Sequence, residues 1–170
     1  MRRVITPLMV AAAAVLGQQR STPPGPNASV NEKLLWTWSS TAAKLNQMAA
    51  DFPENKYDFR PAPQVRTFAE QLLHVAFWNQ FVEKTARGEK ADGSADQLDQ
   101  SQYKTKADVV RVLRESFEQA MAALKTQTNE QALRYLRLWT EFAEHTGEHY
   151  GQLVVYYRLN GLVPPASRRR

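Results

Sequence analysis

The whole chain holds three histidines, and two of them, His145 and His149, stand four residues apart in the run Glu144-His145-Thr146-Gly147-Glu148-His149. If that run is helical, positions i and i+4 lie one above the other on a single face, and two imidazoles can reach one ion at about 2.0–2.1 Å each. The third, His74, sits in Phe68-Ala69-Glu70-Gln71-Leu72-Leu73-His74-Val75-Ala76-Phe77-Trp78, an amphipathic stretch of aromatic and aliphatic neighbours. All the histidine in the protein is therefore placed where three rings can meet.

On a helical wheel centred on His145, Leu138, His149, Gln152 and Tyr156 fall within about 40° and Phe142 at about 60°, so the histidines face a core. His74 shares its side of a helix with Glu70, Trp78 and Phe81. Burying an unpaired imidazole costs roughly 1–3 kcal/mol per unsatisfied polar group, and one metal ion supplies a partner to all three rings at once. The competing reading is an ordinary core in which each histidine donates to a carboxylate or a backbone carbonyl. Three neutral imidazoles around an ion leave at least one coordination position for water or substrate, the pattern of a catalytic rather than a closed structural site. Imidazole ligands suit zinc, nickel, copper and iron alike.

Three further residues are catalytic candidates. Tyr156, further along the histidine stripe, would orient substrate or donate a proton, or else simply pack in the core. Gln152 has the same options, or its amide could bond the second nitrogen of a histidine. Glu148, about 60° from His145 on the wheel, would be an outer partner of the ligands or a solvated helix charge. The run His145-Thr146-Gly147-Glu148-His149 also fits H-x-x-E-H, the helical signature of inverted zinc proteases. That reading fails because no Asp or Glu follows Glu148 to act as the distant ligand.

The elements that must position these residues are helices. Ser29-Val30-Asn31-Glu32 is a capping box, and Leu34, Trp38, Leu45, Met48 and Phe52 then recur at helical spacing until Pro53, which predicts a helix over about 30–51. The proline-rich stretch 52–63 reads as an extended connection with Tyr57 and Phe59 tucked against the helices. Thr67-Phe68-Ala69-Glu70 opens a second helix that runs to Arg87, with Leu73, Phe77 and Phe81 on one stripe and Gly88 as its left-handed stop. Residues 88–104 are polar and aperiodic and read as a surface loop whose length hints at flexibility or function. Thr105-Lys106-Ala107-Asp108 starts a third helix carrying Val109, Val110, Leu113, Phe117, Ala120 and Leu124. Asn129 is expected to cap a fourth, or a helix bent near Gly147, that ends at Gly161 ahead of Pro164-Pro165. Four long amphipathic helices without a credible strand predict an all-α, up-and-down four-helix bundle.

The N-terminus reads Met1-Arg2-Arg3, then an apolar run from Val4 to Leu16 and Gly17-Gln18-Gln19, the order of a secretory signal peptide. It is too short for a membrane span, which takes about 20 apolar residues. Cleavage is expected after Gly17, by the general route or, given the paired arginines, the twin-arginine route. Residues 18–28 then form a linker, residues 29–166 one domain, and residues 167–170 a solvated basic tail. This predicts a secreted or periplasmic protein. With no cysteine, disulfides, thiolate metal sites and a cysteine nucleophile are excluded. The net charge of +5 lies at the ends, since all 17 acidic residues fall between Val30 and Ala166 while six of the 22 basic ones lie outside it. No nucleic-acid partner is supported, and nothing resembles a nucleotide-binding loop or a serine nucleophile motif.

Tyr57-Asp58-Phe59-Arg60-Pro61-Ala62-Pro63, Arg66-Thr67-Phe68-Ala69-Glu70-Gln71-Leu72-Leu73-His74-Val75-Ala76 and Glu148-His149-Tyr150-Gly151-Gln152-Leu153-Val154-Val155-Tyr156-Tyr157-Arg158-Leu159-Asn160-Gly161 together resemble the DinB/YfiT-like metalloenzymes. The resemblance covers nearly all of residues 30–166. It implies a four-helix bundle that holds a divalent metal such as zinc or nickel with one histidine of the second helix and an H-x-x-x-H pair of the last, positions filled here by His74, His145 and His149. It also implies a homodimer in many cases, and includes thiol-dependent transferases and isomerases. Because an exported protein would not meet the millimolar cytoplasmic thiols those reactions consume, a metal-dependent hydrolase acting on a small-molecule substrate ranks above a thiol transferase. The reading from another class is a non-enzymatic bundle in which the metal only fixes two helices.

Overall fold

The computed structural model describes residues 22–168, so the expected signal peptide and its cleavage after Gly17 lie outside the described residues. Five α-helices follow in chain order: α1 (Val30–Asp51), α2 (Phe68–Ala86), α3 (Lys106–Thr126), α4 (Asn129–Arg134) and α5 (Leu136–Leu159). Among the described residues there is no strand, and no helix is long and apolar enough to cross a membrane.

Local chemistry sets the helix starts. Ser29, Thr67 and Thr105 each accept a hydrogen bond from the third helical N–H, and Glu32, Glu70 and Asp108 accept one from the cap backbone N–H, closing a capping box at each of the three expected helix starts. A fourth box, Thr128 with Gln131, opens α4. The cap is thus Thr128 and not Asn129, because the threonine has a glutamine at the reciprocal position. Asn129 instead reaches across the bundle, where its Oδ1 accepts the Val30 N–H at 3.0 Å and satisfies an otherwise free donor at the start of α1. Gly88 (φ +77°) and Gly161 (φ +69°) terminate α2 and the last helix in the left-handed region, as expected.

The last helical stretch is interrupted at Tyr135, not near Gly147. Tyr135 leaves helical geometry (φ −98°, ψ 15°). α5 then continues unbroken through Gly147, whose flanking Thr146 and His149 are packed inside. A lone glycine lowers helix propensity by about 1 kcal/mol but does not itself bend a helix that is packed on both sides.

α1 packs against α3 and α5, and α2 against the same two, which sets α1 and α2 across the bundle from each other. The connection 52–67 that joins them is anchored by aromatic contact. Phe52 stacks on Phe68 with centroids 3.8 Å apart, and the buried Tyr57 hydroxyl donates to the Ala49 carbonyl. On α1, Trp38, Leu45 and Met48 face inward, and on α3 so do Val109, Leu113, Phe117, Ala120 and Leu124. α2 differs from the expected single stripe. Leu73 of that stripe is fully buried, but so are Leu72, Val75, Ala76, Asn79 and Val82 beside it, while Phe77 and Phe81 are only half-buried. The loop after α2 lies against Trp78 and Phe81, a contact that helix periodicity alone does not report.

Arg168 is less free than a residue of a solvated basic tail. Arg168 forms a bidentate pair with Asp51 at the end of α1 (2.9 and 2.5 Å), and the Tyr157 hydroxyl donates to the same carboxylate at 3.1 Å. Hydrogen bonding from Arg168 outweighs partial burial and holds the Asp51 carboxyl below its usual range.

One polar link crosses the core beside the histidines. The Trp38 indole N–H donates to Thr146 Oγ1 at 3.0 Å, and that hydroxyl donates to the Phe142 carbonyl at 2.7 Å. Both side chains are almost wholly buried, with exposures of 1% and 0%. A Thr146→Val variant keeps the volume and orphans the indole N–H, so it should lower unfolding free energy by about 1–3 kcal/mol. Urea denaturation of both proteins with an unchanged midpoint would show that this link contributes nothing.

Candidate metal centre

α5 presents His145 and His149 from one face, as the four-residue spacing requires, and α2 faces that stripe and presents His74. His74 and His149 are buried at 6% exposure each, and His145 is half-buried. The Nε2 atom of His145 lies 3.1 Å from that of His74 and 2.9 Å from that of His149. One ligand nitrogen from each of the three residues lies within 4.8 Å of the others. The structure therefore brings together all three residues that the sequence picked out.

The partners on the far side of each ring decide what those nitrogens are. His74 Nδ1 is 2.5 Å from the backbone carbonyl of Asp96. A carbonyl can only accept, so Nδ1 carries the proton and Nε2 of the neutral ring is a bare lone pair. His149 Nδ1 is 3.0 Å from Gln152 Oε1, an oxygen that also accepts from Gln71 Nε2 at 2.8 Å, which leaves Nε2 of His149 bare as well. Two lone pairs then point at His145 Nε2. A neutral His145 has one N–H to offer, and one hydrogen must serve two acceptors.

The environment keeps all three rings uncharged. Burial, reinforced by the neighbouring imidazoles, pushes the His145 pKa down to about 3. Burial does the same to His149, down to about 4, with the neighbouring His74 adding to it, and it lowers His74 together with the nearby Arg66. A shared proton is thus a poor solution to the crowding of lone pairs, whereas a divalent cation is a good one. Nitrogens 2.0–2.1 Å from one ion in a tetrahedron stand about 3.3 Å apart, close to the separations here. The donor set of three neutral imidazoles fits a divalent transition metal.

Around the histidines lie Trp78 of α2 and Phe142 of α5, with ring centroids 6.4 and 5.9 Å from that of His145. On the His149 side an open cavity of about 720 Å³ is lined by Pro61, Val65, Arg66, Gln152, Val155 and Tyr156, among others. Tyr156 is buried at 2% exposure, and its hydroxyl donates to the Arg66 carbonyl. Burial raises its pKa. Gln152 is exposed at the cavity and touches His149 as just described. Glu148 is exposed on the outer side of α5.

A family model described as the DinB superfamily matches residues 37–157, a span that holds all three histidines. The chain belongs to the DinB superfamily. No curated protein and no solved structure matches this DinB-superfamily chain.

Asp96 and Arg66, which the sequence reading did not single out as site residues, belong to the surroundings of this DinB-type histidine cluster. Asp96 lies in the polar segment 88–104, where no periodic pattern could mark it. Its one distinguishing sign is its conformation, since it is the only non-glycine residue with positive φ (58°) among those described. Burial works to raise its carboxyl pKa, but the Trp78 hydrogen bond and the neighbouring His74 and Arg66 prevail and lower it.

These pKa values fix how stability depends on pH. An imidazole freed by unfolding titrates near 6.5. Below that value the unfolded chain binds more protons than the folded one, because the folded rings resist protonation, so stability falls as pH falls. The chelator-treated protein should therefore lose thermal stability steadily from about pH 6.5 to about pH 4.5, above the range where carboxylates titrate, with no matching dependence from pH 6.5 to 8. Melting curves that stay level over the acid interval would refute neutral buried histidines.

Proposed function

We propose that the protein binds one divalent metal ion, zinc or nickel, through His74, His145 and His149, and that it is an exported metal-dependent hydrolase of a small-molecule substrate. The observation that carries metal binding is the convergence of Nε2 lone pairs from His74 and His149 on His145 with the opposite nitrogens already engaged. When bound, an ion with three imidazole ligands supplies Lewis acidity and an acidified water at an open position.

The hydrolase reading is supported by what the chain's own residues do beside that position. His149 belongs both to the histidine cluster and to the lining of the 720 Å³ cavity, so a molecule in the cavity would lie against a ligand. That volume suits a small molecule. Pro61, Val65 and Val155 provide apolar contact, while Gln152 and Arg66 provide hydrogen-bond donors. With its proton engaged by the Arg66 carbonyl, Tyr156 acts as a brace for the cavity wall in this reading and not as an acid. Glu148, exposed on α5, takes no part.

Export and self-association complete the proposal. The amino-terminal sequence of the secreted form should begin at Gln18, and a form retaining Met1 outside the cytoplasm would contradict a cleaved signal. Val155, Leu159 and Val163, exposed at 48%, 59% and 54%, offer an apolar strip to a second copy of the chain. Sedimentation as a monomer at micromolar concentration would remove the homodimer.

Elemental analysis of the tag-free chain from residue 18 onward, beside a His145→Ala, His149→Ala double variant, tests the metal. The wild type should carry about one equivalent of a transition metal and the variant should lose it. A wild type that stays metal-free after incubation with zinc, nickel and manganese would overturn the proposal. With metal in place, ester, amide and lactone substrates should show turnover that the double variant lacks.

A further inference from the structure

We propose that Asp96 is a positioning residue of the histidine centre: it holds His74 in the tautomer and orientation that turn Nε2 toward His145 and His149. The inference rests on the metal-binding reading above and adds to it a residue from outside the three ligand positions.

The argument begins with how firmly the Asp96 carbonyl is placed. Its carboxylate is tied at two points that do not involve His74. Oδ1 accepts the Trp78 indole N–H at 3.0 Å, one turn further along α2, and Oδ2 accepts from Arg66 Nη2 at 2.5 Å, just before α2 begins. The next residues are fastened to the same helix, as Arg66 Nε donates to Gln97 Oε1 at 3.3 Å and the Leu98 N–H donates to the Leu73 carbonyl at 3.5 Å. Three residues earlier the loop lies directly on the indole: a Cβ on Gly93 would stand 3.0 Å from Trp78 Cη2, a tighter approach than most side chains make. Between these anchors Asp96 adopts φ +58°, in the left-handed region that Asp and Asn tolerate far better than most residues.

The result is a backbone carbonyl pinned beside His74 Nδ1, with the carboxylate Oδ1 only 3.5 Å from the same nitrogen. Both groups accept and neither donates, so both favour the Nδ1–H tautomer and a bare Nε2. His145 and His149 need less help, because one helix fixes their spacing and Gln152 orients the second ring. His74 reaches the cluster alone from α2.

The contact to His74 is made by main chain, so the test must loosen its anchors. Asp96→Ala removes both carboxylate bonds and disfavours the left-handed backbone. Asp96→Asn keeps an acceptor for Trp78 and the backbone preference. Trp78→Phe removes only the indole donor. Zinc affinity is read by competition with a chromophoric chelator, and the His74 tautomer in the metal-free protein by nitrogen chemical shifts. Asp96→Ala should weaken zinc binding by about 10–100-fold and give His74 a mixed tautomer, while Asp96→Asn stays within about threefold of wild type and Trp78→Phe falls between. Rescue by asparagine separates positioning from general damage to the fold. Affinity of Asp96→Ala within about twofold of wild type would overturn the proposal. If the wild type binds neither zinc, nickel nor manganese, the metal reading fails, and the tautomer decides alone: an Nδ1–H His74 that Asp96→Ala leaves unchanged rejects the positioning role, and one that becomes mixed supports it.

Discussion

The constraint on which the site depends is electrostatic. Nitrogen lone pairs from buried imidazoles, held within about one van der Waals contact of each other, repel unless a positive centre lies between them. The centre is a proton or a metal ion, and burial makes the proton a poor choice by driving the His145 pKa down to about 3 and that of His149 to about 4. The remaining features follow as supports. α5 supplies two rings with their separation fixed by helix geometry, α2 supplies the third from the facing wall, and the acceptors at Asp96 and Gln152 keep the outward nitrogens protonated. Removing any one support returns the cluster to an unfavourable arrangement of like dipoles, and the ring that loses its partner can rotate away.

What the sequence revealed of this centre is what helix periodicity can carry. His145, His149 and Gln152 share a stripe by arithmetic, and His74 faces inward by the same rule, so the three histidines and one outer partner are legible in the sequence. Asp96 and Arg66 are not. Asp96 acts from a segment with no repeat, its decisive group toward His74 is a carbonyl that every residue possesses, and only its backbone conformation distinguishes it. Arg66 precedes the cap of α2 and reads as one more basic residue until the loop folds back on it. Periodicity reports which way a side chain points on a regular element; it is silent about main-chain acceptors on a loop.

The same boundary runs through the fold. The helix starts at Ser29, Thr67 and Thr105, the aromatic connection at Tyr57 and Phe59 and the glycine stops are local signals, and they stand where the residues placed them. The misplaced features depend on partners distant in the chain. Asn129 has the right chemistry for a cap but spends its oxygen on Val30, about a hundred residues earlier. Gly147 has the composition of a bend but is locked by the core contacts of Thr146, while the actual break falls at Tyr135, which carries no breaker residue at all. Arg168 reads as tail until Asp51 is beside it. Each case is a local preference overridden by a tertiary contact.

The division of labour among the three histidines has a consequence for stability. His145 and His149 are near each other whenever α5 is helical, so on their own they measure only local structure. His74 joins them only when α2 has docked and the segment after it has closed over Trp78 and Phe81. An ion held by all three thus discriminates between the assembled bundle and every partly assembled state, and its binding free energy is added to the stability of the folded form alone. In a chain with no cysteine and hence no disulfide, such an ion would be the one available cross-link between the two halves of the sequence. In the proposed centre the loop that carries Asp96 would belong to that cross-link as much as the histidines, because it would set whether His74 arrives with its lone pair facing inward.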